Sequence, residues 1–532
     1  MLPTLPNPEL FFGFCAPIGV DNKRAYSLLE EILKKYHYTS QYFKVTELIK
    51  SVTLPDIILK ESPLEAKYDT YIRYANKLRE VIGFPYALAM LCCVAVRNFR
   101  REKKGDAETY IPNTAYVFDQ FKRKEELELL RQVYGRLFVV VSIYSEKKIR
   151  TERLINRIAS DHSEARLSDE HAGIAAALIK RDQSEEGVET GQRLEEAYPC
   201  ADLFINIDDP DGAAKLIVRF LDAFFGSNAV SPTHDEYGMQ AAKNASLRSV
   251  DLSRQVGVAI FNPSGEVITV GCNEVPKALG GTYWTGDEGD ARDIQKGYDS
   301  NEKIKKSLLV DFAKRLSDAG FLKEQKKELD VARFISRETS RGGTLRDAQL
   351  MDLLEFGRMI HAEMSAICDA ARLGKPVKEG VLFATTFPCH LCAKHIVASG
   401  IKRVVYIEPF PKSYAEQLHG DAIVIGQSTD PNKVIFEPFI GIAPLRYREL
   451  FERPDRRKDD AGNFKPWIDD GPRPIVKFTL ATYVSNEAAV TKAFHETVKR
   501  GSKRGLLQIS SNKAQASRQH RKGMKKRART SN

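Results

Sequence analysis

The chain has 532 residues, 42% of them hydrophobic, and a formal net charge of +10. That length exceeds one ordinary domain, and the apolar content excludes a wholly disordered chain. Twelve Lys or Arg and no Asp or Glu lie between Lys499 and Asn532, which leaves about −2 for the rest, so the folded body is near neutral and the basic signal is a tail.

Leu10–Cys15 is an apolar run that ends in a turn at Ala16–Gly19. A helical pattern follows through Tyr26, Leu28, Leu29, Ile32 and Leu33. Ala115–Asp119 reads as a short strand ending in an acid, followed by a helix carrying Leu127, Leu129, Leu130 and Val133. Leu137–Ile143 is a β-branched run of the kind buried in a parallel sheet, and Leu203–Ile207 reads as a last strand. Strand, turn and helix in that order predict a doubly wound α/β domain over 1–226. Ser, Asn, Pro, Thr and Gly crowd together in Gly226–Gly238, which predicts a linker over 227–240. Val256–Phe261 and Glu266–Cys272 then flank the turn Asn262-Pro263-Ser264-Gly265 and predict a hairpin. Residues 285–355 are charged and helical in pattern, and read as an insertion. A second domain is expected over 241–500, and 501–532 reads as a disordered basic tail, either a solvated appendage or a contact for RNA or DNA.

The eight cysteines show no regular disulfide spacing, which points to a reducing cytoplasm. No basic residue precedes the first apolar run, so no leader is expected. The longest apolar stretch, near Ala87 to Val96, is too short to cross a bilayer.

Two of those cysteines, Cys389 and Cys392, stand in the stretch FPCHLCAKHIVASGIKRVVY, at a spacing usual for zinc ligands. The chain has no second such pair. The remaining ligand is upstream in HAEMSAICDAARLG, where His361, Ala362 and Glu363 open an amphipathic helix ending near Gly374. Val381–Thr385 follows as a strand, Pro388 and Cys389 open another helix, and Arg403–Ile407 is the next strand. His361, Cys389 and Cys392 therefore stand at or near the first turns of two helices, where the helix dipole favours thiolates. Three protein ligands leave a fourth tetrahedral position for water, as in catalytic zinc sites. Zn²⁺ with two thiolates and a neutral imidazole is formally neutral and acidifies water weakly, so a base is needed beside it. Glu363 is in place for that role, and the H-x-E…P-C-x-x-C pattern is the one zinc deaminases use.

TTFPCHLCAKHIVASGIKRVVYIEP resembles the deoxycytidylate deaminases, whose motif runs T-x-x-P-C-x-x-C-A-K and continues through S-G-I and V-V-Y. The tRNA adenosine deaminases share HAE and PCxxC but usually have Glu before the Pro, where this chain has Phe387, and Gly in place of Lys394. SRQVGVAIFNPSGEVITVGCNEVP is similar to the family's opening hairpin, and the likeness implies that Asn273 contacts the sugar or base; the alternative is that it only turns the chain. Arg254 and Lys412 are candidates for the substrate phosphates. The resemblance implies an α/β/α cytidine-deaminase-like fold for the second domain.

The first half resembles P-loop kinases of nucleoside monophosphate or dephospho-coenzyme A type. Ala115–Asp119 stands where their Walker B strand runs, and Arg150 and Arg153 where they have lid arginines. Gly13, Gly19 and Asp119 are the residues left of that site. Counted from Gly13, the positions for glycine, lysine and hydroxyl are Ile18, Gly19 and Val20; shifted by one, Val20 and Asp21 fall where lysine and hydroxyl belong. Phosphoryl transfer is not expected without them. A degenerate kinase-like domain joined to a deoxycytidylate-deaminase-like domain is similar to the two-domain anti-phage dCTP deaminases of bacteria. That likeness implies Zn²⁺ as cofactor, free dCTP or dCMP as substrate, a homo-oligomer with a hexamer among its forms, and a small inhibitory RNA as partner. Two other readings stay open: a deaminase of RNA or single-stranded DNA, and a nucleotide-sensing regulatory protein.

Overall fold

The computed structural model describes all residues except 1–4, 6, 164–167, 186–187, 322–327, 341, 347, 409–412, 427, 429, 454–455, 468–470, 477–481 and 510–532. Its described parts form two compact units. One contains 1–185, 189–230 and the C-terminal stretch from Arg453; the other contains 231–452 with 186–188.

The first unit is built on parallel strands in the order β5-β4-β1-β3-β2: β1 (Leu10–Cys15), β2 (Thr39–Lys44), β3 (Thr114–Phe121), β4 (Phe138–Tyr144) and β5 (Leu203–Asn206). Its helices are α1 (Asn22–Lys34), α2 (Leu64–Ile82), α3 (Ala87–Lys104), α4 (Lys124–Tyr134), α5 (Lys147–Asp161), α6 (Asp169–Gln183) and α7 (Pro210–Phe224). The central strand, LFFGFC, is buried at every position, as expected for a strand covered on both faces. Gly13 lies inside it, where a Cβ would stand 2.8 Å from the Phe138 ring. β2, TSQYFK, is the partly exposed edge strand, and its polar sequence gives no apolar run to announce it.

The second unit carries α8 (His234–Ser246), the antiparallel pair β6 (Gly257–Phe261) and β7 (Val267–Cys272), α9 (Ala362–Arg372), β8 (Val381–Ala384), α10 (His390–Ala398), β9 (Arg403–Tyr406), β10 (Ile423–Ile425) and β11 (Val434–Pro438). Its sheet runs β10-β11-β9-β8-β6-β7, parallel from β10 to β8 and antiparallel at the hairpin. Two glycines show how helices cover both faces. A Cβ on Gly257 would stand 2.0 Å from the Ala242 carbonyl of α8, and one on Gly271 2.5 Å from the Ala362 carbonyl of α9. Gly257 and Gly271 sit on neighbouring strands one pairing step apart and so point to opposite faces. The result is an α/β/α layering, with Val258, Ile260, Leu382, Val404, Ala366 and Ile396 in its core. Helices Ser300–Asp318 and Glu328–Glu338 fill the expected insertion.

Three sequence boundaries are corrected. Residues 234–240 are the start of α8 rather than linker: Thr233 caps the helix and Glu236 returns the bond to the Thr233 backbone. The second domain does not run to residue 500, because α11 (Thr482–Lys503) belongs to the first unit and packs on α3. Its Tyr483 and Glu487 are buried there with Arg100 and Glu9. Nor does the tail begin at 501, since Leu507 is fully buried and β12 (Gln508–Ile509) pairs antiparallel with Val52–Thr53. The rest of the expected tail, 510–532, lies outside the described residues. No single helix among the described residues is long and apolar enough to cross a membrane.

Candidate metal centre

His361 and Cys389 each occupy the residue just before a helix, α9 and α10, with extended backbone angles, and Cys392 lies in the first turn of α10. The parallel pairing of β8 with β9 sets the position of α10, and the close approach of α9 to Gly271 sets that of His361. His361 Nδ1 is 3.3 Å from both Cys389 Sγ and Cys392 Sγ. All three potential ligand atoms lie within 4.8 Å of one another. One imidazole and two sulfurs converging at this spacing fit a zinc ion.

The electrostatics agree with that donor set. A hydrogen bond from Cys392 and the neighbouring His361 hold the Cys389 thiol down to about 4. The bond to Cys389, with burial, raises Cys392. Binding of a divalent cation by these sulfurs would displace thiol protons. The hydrogen bond to Cys389 raises His361 against the opposing effect of its burial. Glu363, 4% exposed, is raised by burial first and by the Cys389 charge second.

A cavity of about 180 Å³ opens onto this cluster and is lined by His361, Glu363 and Cys389 together with Arg254 and Asn273. Asn273 is 7% exposed; its Oδ1 accepts the Val256 N–H at 2.8 Å and its Nδ2 donates to the Arg254 carbonyl at 2.9 Å. It therefore both turns the chain and forms the cavity wall, with one amide hydrogen uncommitted to these two bonds. Arg254 is exposed at the rim. Lys412 lies outside the described residues. Sequence reasoning missed Arg358, Phe387 and the contribution of the insertion. Arg358 lines the cavity and donates to the Ala291 carbonyl at 2.8 Å and the Asp293 carboxylate at 2.7 Å. Asp299 and Asn301, at the start of the helix Ser300–Asp318, also reach it. Arg358 stands three residues before His361, the one local signal that could have found it.

The kinase-like residues fall differently. Gly13 is a strand residue, not part of a loop. Gly19 is in the turn after β1 with φ +88°, and a Cβ there would stand 2.8 Å from the Arg150 carbonyl. Asp119 is buried and takes hydrogen bonds from Asn22 Nδ2 at 2.6 Å and from the Tyr42 hydroxyl. Arg150 and Arg153 donate to the carbonyls of Ile18 and Gly19.

Fold and site together define a mixed α/β protein whose His361, Cys389 and Cys392 form a group that could hold a metal ion. Residues 232–408 match the family model described as the cytidine and deoxycytidylate deaminase zinc-binding region, and zinc is the metal this domain is built to hold. The chain is 46% identical over 54 residues to the deoxycytidylate deaminase of Enterobacteria phage T2, covering 10% of this chain and 29% of that protein. It is 28% identical over 137 residues to a UPF0200 protein of Saccharolobus islandicus, covering 26% of this chain and 61% of that one. Each match spans less than two thirds of the relative's own length. Among solved structures, the dCMP deaminase of cyanophage S-TIM5 in complex with dCMP and dUMP aligns with 39% of this chain and 98% of its own, at 16% identity and a TM-score of 0.22.

Proposed function

We propose that this protein is a zinc-dependent hydrolase that deaminates free deoxycytidine nucleotides, dCTP or dCMP, to the uracil nucleotides and ammonia. The observation that carries this reading is the buried Glu363 carboxyl beside the His361, Cys389 and Cys392 donor set, in the wall of a cavity of about 180 Å³. Zinc held by those three residues would act as a Lewis acid on water, and because the centre is formally neutral a base beside it would still have to take the proton.

Glu363 takes a proton from the attacking water as its oxygen bonds to C4 of the cytosine, and delivers that proton to N3. It then carries the second water proton to the exocyclic amine, which leaves as ammonia. Burial raises the Glu363 carboxyl, which makes it a better acceptor of the water proton than a solvated glutamate. Asn273, locked by its backbone bonds, orients the sugar or base. Arg254, at the rim, is the candidate cation for the phosphates, with Lys412 proposed on the sequence alone. The small cavity, walled partly by the insertion, favours a single nucleotide over a polynucleotide strand.

The first unit is proposed as a kinase-like domain that does not transfer phosphate, since no lysine occupies the phosphate position in either register of its loop. Depletion of dCTP as an anti-phage defence, assembly into a homo-oligomer and control by a small RNA rest on likeness to the two-domain bacterial deaminases alone. Incubation of the purified protein with each deoxynucleotide and with RNA and single-stranded DNA, following ammonia and deaminated base, tests the reading. Turnover confined to polynucleotides would replace it.

A further inference from the structure

The cavity at the metal centre is walled partly by the 285–355 insertion, and two adjacent residues of that insertion are tied to two different walls. Arg292 and Asp293 are 5% and 3% exposed. Asp293 Oδ1 accepts a hydrogen bond from Arg358 Nη1 at 2.7 Å, and Arg358 stands three residues before His361. Arg292 gives Nε and Nη2 to the Asp290 carboxylate at 3.0 and 2.7 Å, which fixes its guanidinium. Its Nη1 lies 3.8 Å from Glu274 Oε2. Glu274 is fully buried and follows Asn273 directly.

The two walls meet at Glu274. Its N–H donates to the Ile360 carbonyl at 3.3 Å, and the Ile360 N–H donates back to the Glu274 carbonyl at 3.1 Å. The residue after Asn273 is thus bridged to the residue before His361. The Glu274 carboxylate also accepts the Val250 and Val275 N–H groups, at 3.3 and 2.9 Å. Val250 leads into the cavity-lining stretch that ends in Arg254. A third tie comes from Asn301, just ahead of Arg358 in space and sequence partner. Its Nδ2 donates to the Leu353 carbonyl at 2.8 Å and its Oδ1 accepts the Phe356 N–H at 3.2 Å.

Anchoring the insertion does not by itself need these residues at the cavity, yet Asp293, Asn301 and Arg358 all line it. Net stability is not the main gain either, since desolvation offsets much of the attraction in a buried ion pair. What such pairs supply is fixed geometry, and a binding site has to be held to within about 0.5 Å. Arg358 is already balanced by Asp293. Its use is to pass the position of the insertion to the segment that enters His361.

We infer that Asp293 and Arg292 are positioning residues for the nucleotide. Asp293 acts through Arg358 on the segment entering His361, and Arg292 acts through Glu274 on the Asn273 wall. The inference deepens the deaminase reading of this site and rests on it.

The test uses the full chain, zinc-loaded, as wild type, Asp293→Ala, Asp293→Asn, Arg358→Ala, the Asp293→Ala/Arg358→Ala double variant and Arg292→Lys. Asp293→Ala should raise KM for whichever nucleotide the wild type turns over by about tenfold, with kcat changed by less than about threefold and zinc content unchanged. Asp293→Asn keeps an acceptor for Arg358 and should recover most of that loss. The double variant should be no worse than Arg358→Ala alone, because the two residues act as one pair. Arg292→Lys, which lacks the fork that serves Asp290 and Glu274 together, should raise KM by about threefold or more. Amide hydrogen exchange without nucleotide reads the same device independently of turnover. The Glu274 and Ile360 amides should exchange about tenfold faster in Asp293→Ala than in wild type. Unchanged KM and exchange in Asp293→Ala, fully additive effects in the double variant, or loss of zinc along with binding would overturn the inference. Turnover of neither nucleotide by the wild type would instead sink the deaminase reading, and the exchange rates would still decide whether the insertion holds the two walls.

Discussion

Replacing Glu487 with glutamine should remove a pH-dependent strain from the core of the first unit. Glu487 lies on α11, fully buried, where the Arg100 guanidinium is shared between it and the equally buried Glu9. Tyr116 and Tyr483 donate their hydroxyls to Glu9 at 2.9 and 3.1 Å. Two carboxylates facing one guanidinium leave an uncompensated negative charge. Burial raises the Glu487 carboxyl, the Arg100 charge opposes that, Glu9 adds to it, and the net result is a value of about 7 against an ordinary 4.5. A displacement of that size corresponds to about 3 kcal/mol. Because the folded value is raised, the stability it represents is fully present below about pH 4.5 and is lost as pH rises through about 7. Glutamine keeps the shape and a carbonyl acceptor without the charge. Urea unfolding of the wild-type and Glu487→Gln proteins, followed by circular dichroism at pH 5 and pH 8, isolates this group from the other carboxylates. The variant should gain about 2–3 kcal/mol on the wild type between the two pH values. A difference that stays flat, or that moves towards the wild type as pH rises, would refute a raised Glu487 carboxyl as the source of the strain.

Other outcomes follow from the same geometry. Glu363→Gln should retain zinc and lose deamination by a factor of about 10²–10⁴; loss of the metal along with activity would count against a proton-shuttle role. Cys389→Ala or Cys392→Ala should lose zinc, read by metal analysis, and full occupancy in either would exclude that residue as a ligand. Truncation before Ser510 should leave the melting temperature unchanged, whereas truncation before Gly501 uncovers the core around Leu507 and should cost about 1.5–3 kcal/mol; equal melting temperatures for the two would show β12 to be dispensable. If the segment beyond 510 contacts RNA phosphates, its removal should also flatten the salt dependence of RNA binding.

How much of this was legible in the sequence depended on local pattern. β1 was visible because LFFGFC is an unbroken apolar run, and the two helix starts of the metal centre because their ligands fall at fixed local spacings. β2 was not, since TSQYFK is a half-exposed edge strand whose polar residues meet solvent. The short β10 and β11 gave no signal strong enough to separate them from loops. The return of α11 to the first unit was hidden for another reason. Its partners, Glu9 and Arg100, are separated from Glu487 by hundreds of residues, and a buried ion cluster has no periodicity to read. Likewise Arg358 joins the cavity only because the insertion folds back to hold it through Asp293, a tertiary fact. Gly13 misled in the opposite direction: its lack of a Cβ serves the Phe138 ring rather than a phosphate.

The central claim is that Glu363 and the His361, Cys389 and Cys392 centre deaminate a free deoxycytidine nucleotide. The most direct test is to mix zinc-loaded wild-type and Glu363→Gln proteins with dCTP and with dCMP, and to follow the uracil nucleotide and ammonia in equal amounts. The account predicts stoichiometric release of both products by the wild type with at least one of the two substrates, and release about 10²–10⁴-fold slower by the variant. No product from either nucleotide with fully zinc-loaded wild type, or undiminished turnover by Glu363→Gln, would contradict it.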